Sequence, residues 1–268
     1  MALVAVLYFG NLLALLLFEN HFVYRSTAAS DHWVEPSREE LSVEDVTRAS
    51  ADGNLIHSWW CPVPNWKPEQ GAVLYCHGNS GNSSDRIGWI RNWILHVGLP
   101  LLIFDYPGYG KSTGTATETG CYTSADAAYA WLTEQMKIPP EKIVLHGESL
   151  GGGVAVDLAS RRPHRAMVLF RTFPTLPDVA QRLMPWLPAN WLMRNRFDNL
   201  TKIADCRGPV FMAHGTADRL IPFAMAHRLF DAASEPKRFF AEEGKDHASD
   251  HPDELYDAVR RFLEEKAN

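Results

Sequence analysis

Through most of this chain, short β-branched runs alternate with segments of helical spacing. Residues 43–49 and 55–60 read as two strands joined by Ala51-Asp52-Gly53-Asn54, in which Asp-Gly is a hairpin signal. Residues 61–70 hold three prolines and read as a loop. Residues 72–76 are a short buried strand that runs into the small polar turn His77-Gly78-Asn79-Ser80-Gly81-Asn82. Ile87, Ile90, Trp93, Ile94 and Val97 give 85–97 a helical stripe. A strand at 101–104 and a helix at 122–136 follow, the helix stopped by Pro139-Pro140. Strand 142–146, helix 152–159 and strand 165–170 continue the rhythm. It breaks at 172–200, which is rich in proline and large apolar residues and reads as a short cap over a pocket. Strand 209–213, helix 223–232, strand 237–241 and a helix at 252–265 complete the pattern.

Such alternation predicts a mostly parallel sheet with helices on both faces. The first 18 residues stand apart. They are apolar except for Gly10 and Asn11, at the lower length limit for a membrane-crossing helix. A cleaved signal peptide is the rival reading, with Thr27-Ala28-Ala29 as its small-residue site. No Lys or Arg precedes the apolar run, however, and that site lies late. The expected organisation is therefore an uncleaved anchor at 1–20, a linker at 21–41 and one domain at 42–268. Arg25 and Arg38 follow the span, which under the positive-inside rule places the domain in the cytoplasm.

The chain has 268 residues, 46% of them hydrophobic, enough for one large core. A net charge of −6 with no basic stripe excludes a nucleic-acid partner. Cys61, Cys76, Cys121 and Cys206 form no C-x-x-C pair and read as reduced, mostly buried residues. Asn82-Ser83-Ser84 and Asn199-Leu200-Thr201 fit the glycosylation pattern, which matters only for a secreted eukaryotic protein.

Chemistry enters at Gly147-Glu148-Ser149-Leu150-Gly151. This is G-x-S-x-G between a strand and a helix, the context of a nucleophile elbow. A serine at the tip of that turn sits in a strained backbone, and glycines at 147 and 151 remove collisions two residues to either side. A serine hydroxyl needs a base, and the base needs a carboxylate to orient it and stabilise its charge. Ser149, Asp218 and His247 supply the order Ser, Asp, His, each just after a predicted strand. In parallel sheets ligands bind beyond the carboxyl ends of the strands, so the three can converge. The oxyanion would face the Leu150 N–H, at the positive end of a helix, and an N–H of the loop after strand 72–76, assigned to Asn79.

Other groups fit these roles less well. His247 and His251 have the spacing of a metal pair, but no H-E-x-x-H accompanies them and Pro252 follows, so no metal is assigned. His251 reads as a solvated or capping residue, Asp246 and Asp250 as surface groups, and His146 and His214 as hydrogen-bonded core histidines. Asp178 and Asp205 sit at no clear strand end. Gly110-Lys111-Ser112 resembles the end of a phosphate-binding loop. Its first glycine position is Asp105, however, whose carboxylate would repel phosphate, and the segment reads as a structural turn.

The ordered set of His77-Gly78-Asn79-Ser80-Gly81-Asn82, Asp105 to Ser112, Gly147 to Gly152, His214-Gly215-Thr216-Ala217-Asp218 and the His247 turn resembles the α/β-hydrolase superfamily over about 43–262. Within it the chain is most similar to the membrane-anchored bud-emergence-protein group, close to the serine-aminopeptidase-like hydrolases. Pro107 is a departure, since many relatives have arginine there. The resemblance implies a Ser149–His247–Asp218 triad, an oxyanion hole at Asn79 and Leu150, and hydrolysis of an ester, thioester or amide without a cofactor. The expected substrate is a small acyl ester, lipid-like given the apolar cap and N-terminus. The alternatives are an aminopeptidase-like amide hydrolase and a catalytically silent binding protein.

Overall fold

The computed structural model describes residues 1–37 and 39–265. From the N-terminus its elements are helices α1 (Ala2–Leu17) and α2 (Glu19–Val23), then strands β1 (Arg25–Ser26), β2 (Glu44–Ala49), β3 (Leu55–Cys61), β4 (Ala72–Cys76) and β5 (Ser80–Gly81). Next come α3 (Ile87–Val97), β6 (Leu101–Phe104), α4 (Glu118–Ala130), β7 (Ile143–Glu148), α5 (Leu150–Arg161) and β8 (Ala166–Phe170). The remainder is α6 (Leu176–Leu183), α7 (Ala189–Leu192), α8 (Asn199–Lys202), β9 (Val210–Gly215), α9 (Phe223–Ala232), β10 (Lys237–Glu242) and α10 (Asp253–Glu265).

Eight strands form one sheet in the order β10-β9-β8-β7-β4-β6-β3-β2. Pairing is parallel from β10 to β6 and antiparallel for β6–β3 and β3–β2. The expected hairpin pairs Ala49 with Leu55, and Gly53 takes a φ of 83° in its turn. The two-residue period of the strands divides the core. Leu74, Leu145, Leu169 and Met212 pack on one face with Val154 and Leu158 of α5. Val73, Tyr75, Val144, Val168 and Phe211 pack on the other with Trp93 of α3 and Tyr256 and Phe262 of α10. The central strands are covered on both sides, which is why they are continuously apolar.

The chain leaves β4 for β6 on one side and returns to β7 on the other. The switch in strand order thus lies beside β4, and a parallel sheet opens its crevice there. The loops after β4 and β7 carry Asn79 and Ser149.

Three expectations change. Helix 122–136 begins earlier, at Glu118, because the Thr117 side chain accepts the Gly120 N–H at 2.9 Å as an N-cap that Gly120 and Thr119 disguise in the apolar pattern. Its last part, 131–135, widens into a π-turn. The N-terminal stretch is not one span. Its helix ends at Leu17, and no helix among the described residues is long and apolar enough to cross a membrane. Sixteen residues rise about 24 Å, short of a hydrocarbon core of about 30 Å. Of the two arginines used to orient the expected anchor, Arg25 lies in β1, and Arg38 lies outside the described residues. Residues 21–29 are no free linker, because β1 pairs with β5 and Ala28 bridges Gly110.

The remaining loops also find structural roles. All four cysteines are free and buried. Asn82 donates to the Thr27 and His32 carbonyls and Asn199 to the Phe173 carbonyl, so both asparagines of the glycosylation patterns are buried in the fold. In the Gly110-Lys111-Ser112 turn, Lys111 pairs with Glu35 at 2.9 Å and Ser112 bonds the Asp105 carbonyl at 2.8 Å. A Cβ on Gly110 would fall 2.0 Å from the Asp105 carboxylate. The segment is a packed turn.

Candidate active site

Ser149 stands between β7 and α5 with φ 52° and ψ −117°, a left-handed conformation that costs a non-glycine residue on the order of 1–3 kcal/mol. The surroundings hold it there. Its N–H donates to the Phe170 carbonyl at 2.9 Å, and its own carbonyl accepts from Gly152 N–H and Thr172 Oγ1. Gly147 and Gly151 have no room for a side chain. A Cβ at 147 would lie 2.5 Å from the Gly151 carbonyl, and one at 151 would lie 2.0 Å from that of Cys76.

Three residues far apart in sequence meet at this turn. Ser149 Oγ lies 3.1 Å from His247 Nε2, and His247 Nδ1 lies 2.8 Å from Asp218 Oδ2. The second Asp218 oxygen accepts the N–H groups of Leu220 and Ile221 at 2.9 and 2.8 Å. His214 Nε2 stands 3.3 Å from Asp218 and 2.8 Å from the Ile221 carbonyl, so its one proton is shared in favour of the carbonyl. Burial alone would raise the Asp218 carboxyl. Hydrogen bonds from His214, His247 and the Ile221 N–H outweigh it and hold the group well below the usual carboxylate range. An ionised Asp218 beside Nδ1 fixes the imidazole with its proton on Nδ1 and a lone pair on Nε2 toward Ser149.

Leu150 is the first residue of α5, so its N–H is among those with no partner inside the helix. Gly78 packs against Ser149, with room for a Cβ 3.6 Å from the serine Cβ. The Asn79 carbonyl and side-chain oxygen both accept from Tyr109 Oη, at 2.8 and 3.0 Å, which anchors the loop after β4. Gly78, Asn79, Ser149, Leu150 and His247 border a single cavity of about 920 Å³. Its far wall is apolar and comes from the 172–200 segment, with Leu176, Val179, Leu183, Met184, Leu187 and Leu192.

Two other carboxylates near the site are held by arginines. Asp246 pairs with Arg219 at 2.6 Å, and Asp178 with Arg228 at 3.0 Å. His146 is buried and bonds the Val168 carbonyl at 3.0 Å. His251 differs from its reading as a solvated or capping residue. Its side chain is 4% exposed, and Nδ1 sits 2.7 Å from Glu242.

Glu242 belongs to a support that the sequence reading did not contain. Arg171, the first residue after β8, is 2% exposed and has a φ of 47°. Its Nε and Nη2 grip Glu242 at 3.1 and 2.8 Å, while Nη1 donates to the carbonyls of His247, at 2.9 Å, and Ser249. The histidine loop is therefore tied to the buried end of β10. The available signal was a charged residue directly after a buried strand at the edge where Ser149 lies.

A family model for the alpha/beta hydrolase fold matches residues 71–202. An uncharacterized protein of Mycobacterium tuberculosis is 38% identical over 229 residues, covering 83% of this chain and 80% of that protein. The alpha/beta hydrolase domain-containing protein WAV2 of Arabidopsis thaliana is 28% identical over 227 residues, covering 78% and 73%. The esterase Pf2001 of Pyrococcus furiosus superposes with a TM-score of 0.75 at 18% identity, over 91% of this chain and 98% of that one. The chain belongs to the alpha/beta hydrolase superfamily.

Proposed function

We propose that the protein is a serine hydrolase that cleaves acyl esters through a covalent acyl-enzyme. The observation that carries this is the relay from Ser149 Oγ through His247 to Asp218, at 3.1 and 2.8 Å, on the floor of a largely apolar cavity. Ser149 Oγ attacks the ester carbonyl and its proton passes to His247 Nε2. The N–H groups of Leu150 and Asn79 face the oxyanion. Collapse of the tetrahedral adduct expels the alcohol, which takes the proton from His247. A water then attacks the acyl-Ser149 ester, again with His247 as base, and releases the acid. Esterases among the similar structures support this class of bond, as does the resemblance to the bud-emergence-protein group. Thioesters react by the same steps.

Glu148 and Glu19, two of the carboxylates that border the cavity, have partners of their own. Glu148 receives the Tyr75 hydroxyl at 2.5 Å, and Glu19 receives N–H groups of Arg194 and Asn195. Neither of these two stands free to receive a peptide amine. A series of p-nitrophenyl acyl esters tests the reading. The wild-type chain should show a burst of nitrophenol, and Ser149→Ala should lose about 10⁶-fold in kcat. Undiminished turnover in that variant would sink the assignment.

A further inference from the structure

The cavity that holds Ser149 is closed on one side by the N-terminal segment, with Leu15, Leu16, Phe22 and Val23 in its wall. This segment is bolted in place. Glu19 is 5% exposed, and its carboxylate accepts the backbone N–H groups of Arg194 and Asn195 at 3.0 and 2.7 Å, Arg194 Nε at 3.1 Å and Asn195 Nδ2 at 2.8 Å. Arg194 also donates to the Leu16 carbonyl at 2.9 Å, and Tyr24 Oη to Asn195 at 2.6 Å. A few residues on, the Arg25 N–H donates to Asn79 Oδ1 at 3.2 Å, and β1 pairs with β5 beside the Asn79 loop. One short segment thus straps the cap to the loop assigned to the oxyanion.

From that wall α1 continues past Trp186, whose carbonyl accepts from Tyr8 Oη at 3.3 Å. Ala2–Leu17 carries no charged side chain, and Leu3, Val4, Val6, Leu7 and Phe9 are each more than half exposed. Exposed apolar surface is unfavourable in water, and a contiguous run of it marks an interaction surface. The α1–α2 segment adds exposed Phe18 and Phe22, and the 172–200 segment adds Trp186 and Trp191, the last 91% exposed. Exposed Arg182 and Arg194 stand on the same cap. Aromatic rings beside cations are the composition of a membrane interface. Too short to cross, α1 can enter one leaflet.

Resting on the ester-hydrolase reading above, we propose that α1 inserts into a lipid bilayer and that the acyl chain of a membrane-resident ester passes along it into the cavity, against the wall of Leu15, Leu16, Phe22 and Val23. The substrate is then drawn from the leaflet, and the N-terminal segment sets the chain length that fits. Glu19 is a positioning residue that joins this wall to the cap.

The full chain should be assayed on soluble p-nitrophenyl acetate and on p-nitrophenyl palmitate carried in phosphatidylcholine vesicles. The double variant Leu3→Glu/Leu7→Glu lies outside the cavity. It should abolish flotation with vesicles and lower palmitate turnover at least tenfold, with acetate turnover within twofold of wild type. Leu16→Trp should move the chain-length optimum in detergent to shorter acyl groups. Wild-type rates on vesicles in the double variant, an unmoved optimum in Leu16→Trp, or a wild-type chain that buries α1 in a dimer and ignores vesicles would each overturn the proposal. A chain that turns over neither ester refutes the hydrolase reading itself, whereas acetate turnover without vesicle binding refutes this inference alone.

Discussion

Arg171 shows what a single side chain can do without touching a substrate. Its guanidinium binds Glu242 in a buried pair and donates to the His247 carbonyl, so the proposed base is held through its own backbone. Lysine keeps the charge but cannot grip a carboxylate with two N–H groups and reach a carbonyl with a third. Arg171→Lys should therefore lower kcat at least tenfold with KM within twofold, because His247 loses its register while the cavity keeps its shape. An equal rise in KM with kcat intact would show that the pair shapes the pocket instead. At this scale Ser149, Asp218 and His247 were legible because each follows a strand and their chain order is a known solution. Arg171 was not, since its partners lie 71 and 76 residues away and no local pattern encodes them. His251 was misread although its partner is only nine residues away, at the end of β10. Beside Pro252 it resembles a helix cap, and only the fold brings Glu242 to it.

Among the elements, α5 has the least freedom. Its first turn lies so close to β4 that a Cβ at Gly151 would stand 2.0 Å from a backbone carbonyl that cannot yield. Gly151→Ala should lower stability by about 3 kcal/mol, read as a fall in the urea midpoint. Gly88, in α3, has nothing within 4 Å of an added Cβ, and Gly88→Ala should raise stability by up to about 1 kcal/mol through helix propensity. Equal midpoints for the two variants would contradict the packing described for α5. Strands were read well from sequence because buried parallel strands are short continuous apolar runs. Helix starts were harder. Thr117 caps α4 five residues before the helix read from the pattern, and Ser83–Arg86 forms a 3-10 turn that overlaps the start of the helix read at 85–97. Apolar content ended the N-terminal stretch at residue 18, one residue past the end of α1, but said nothing of what holds that end. Glu19 holds it by finding Arg194 and Asn195, 175 and 176 residues away.

Across the whole molecule, buried neutral histidines make stability depend on pH. Burial pulls His77 down to about 4, against the opposing effect of Asp105, and pulls His146 down to about 3 between the rings of Tyr75 and Trp89. Both have an ordinary value of about 6.5 in the unfolded chain. Above pH 6.5 neither state holds the proton and nothing is lost. Below it the unfolded chain takes up protons that the folded chain refuses. Stability therefore falls from pH 6.5 down to about 4 for His77 and about 3 for His146, by on the order of 3 kcal/mol or more for each. Urea midpoints should be level from pH 8 to 7 and decline steadily below 6.5. A flat profile between 6.5 and 4 would contradict the burial of these rings as neutral groups.

The sheet brings the loops after β4, β7, β9 and β10 to one edge, and the central claim is that Ser149 is the nucleophile there. Intact-mass measurement after treatment with a fluorophosphonate tests it most directly. The wild-type chain should gain one adduct, mapped by peptide sequencing to Ser149. His247→Ala should label far more slowly, and Ser149→Ala should not label at all. A wild-type chain that stays unmodified, or a Ser149→Ala chain that labels at the wild-type rate, would contradict the account.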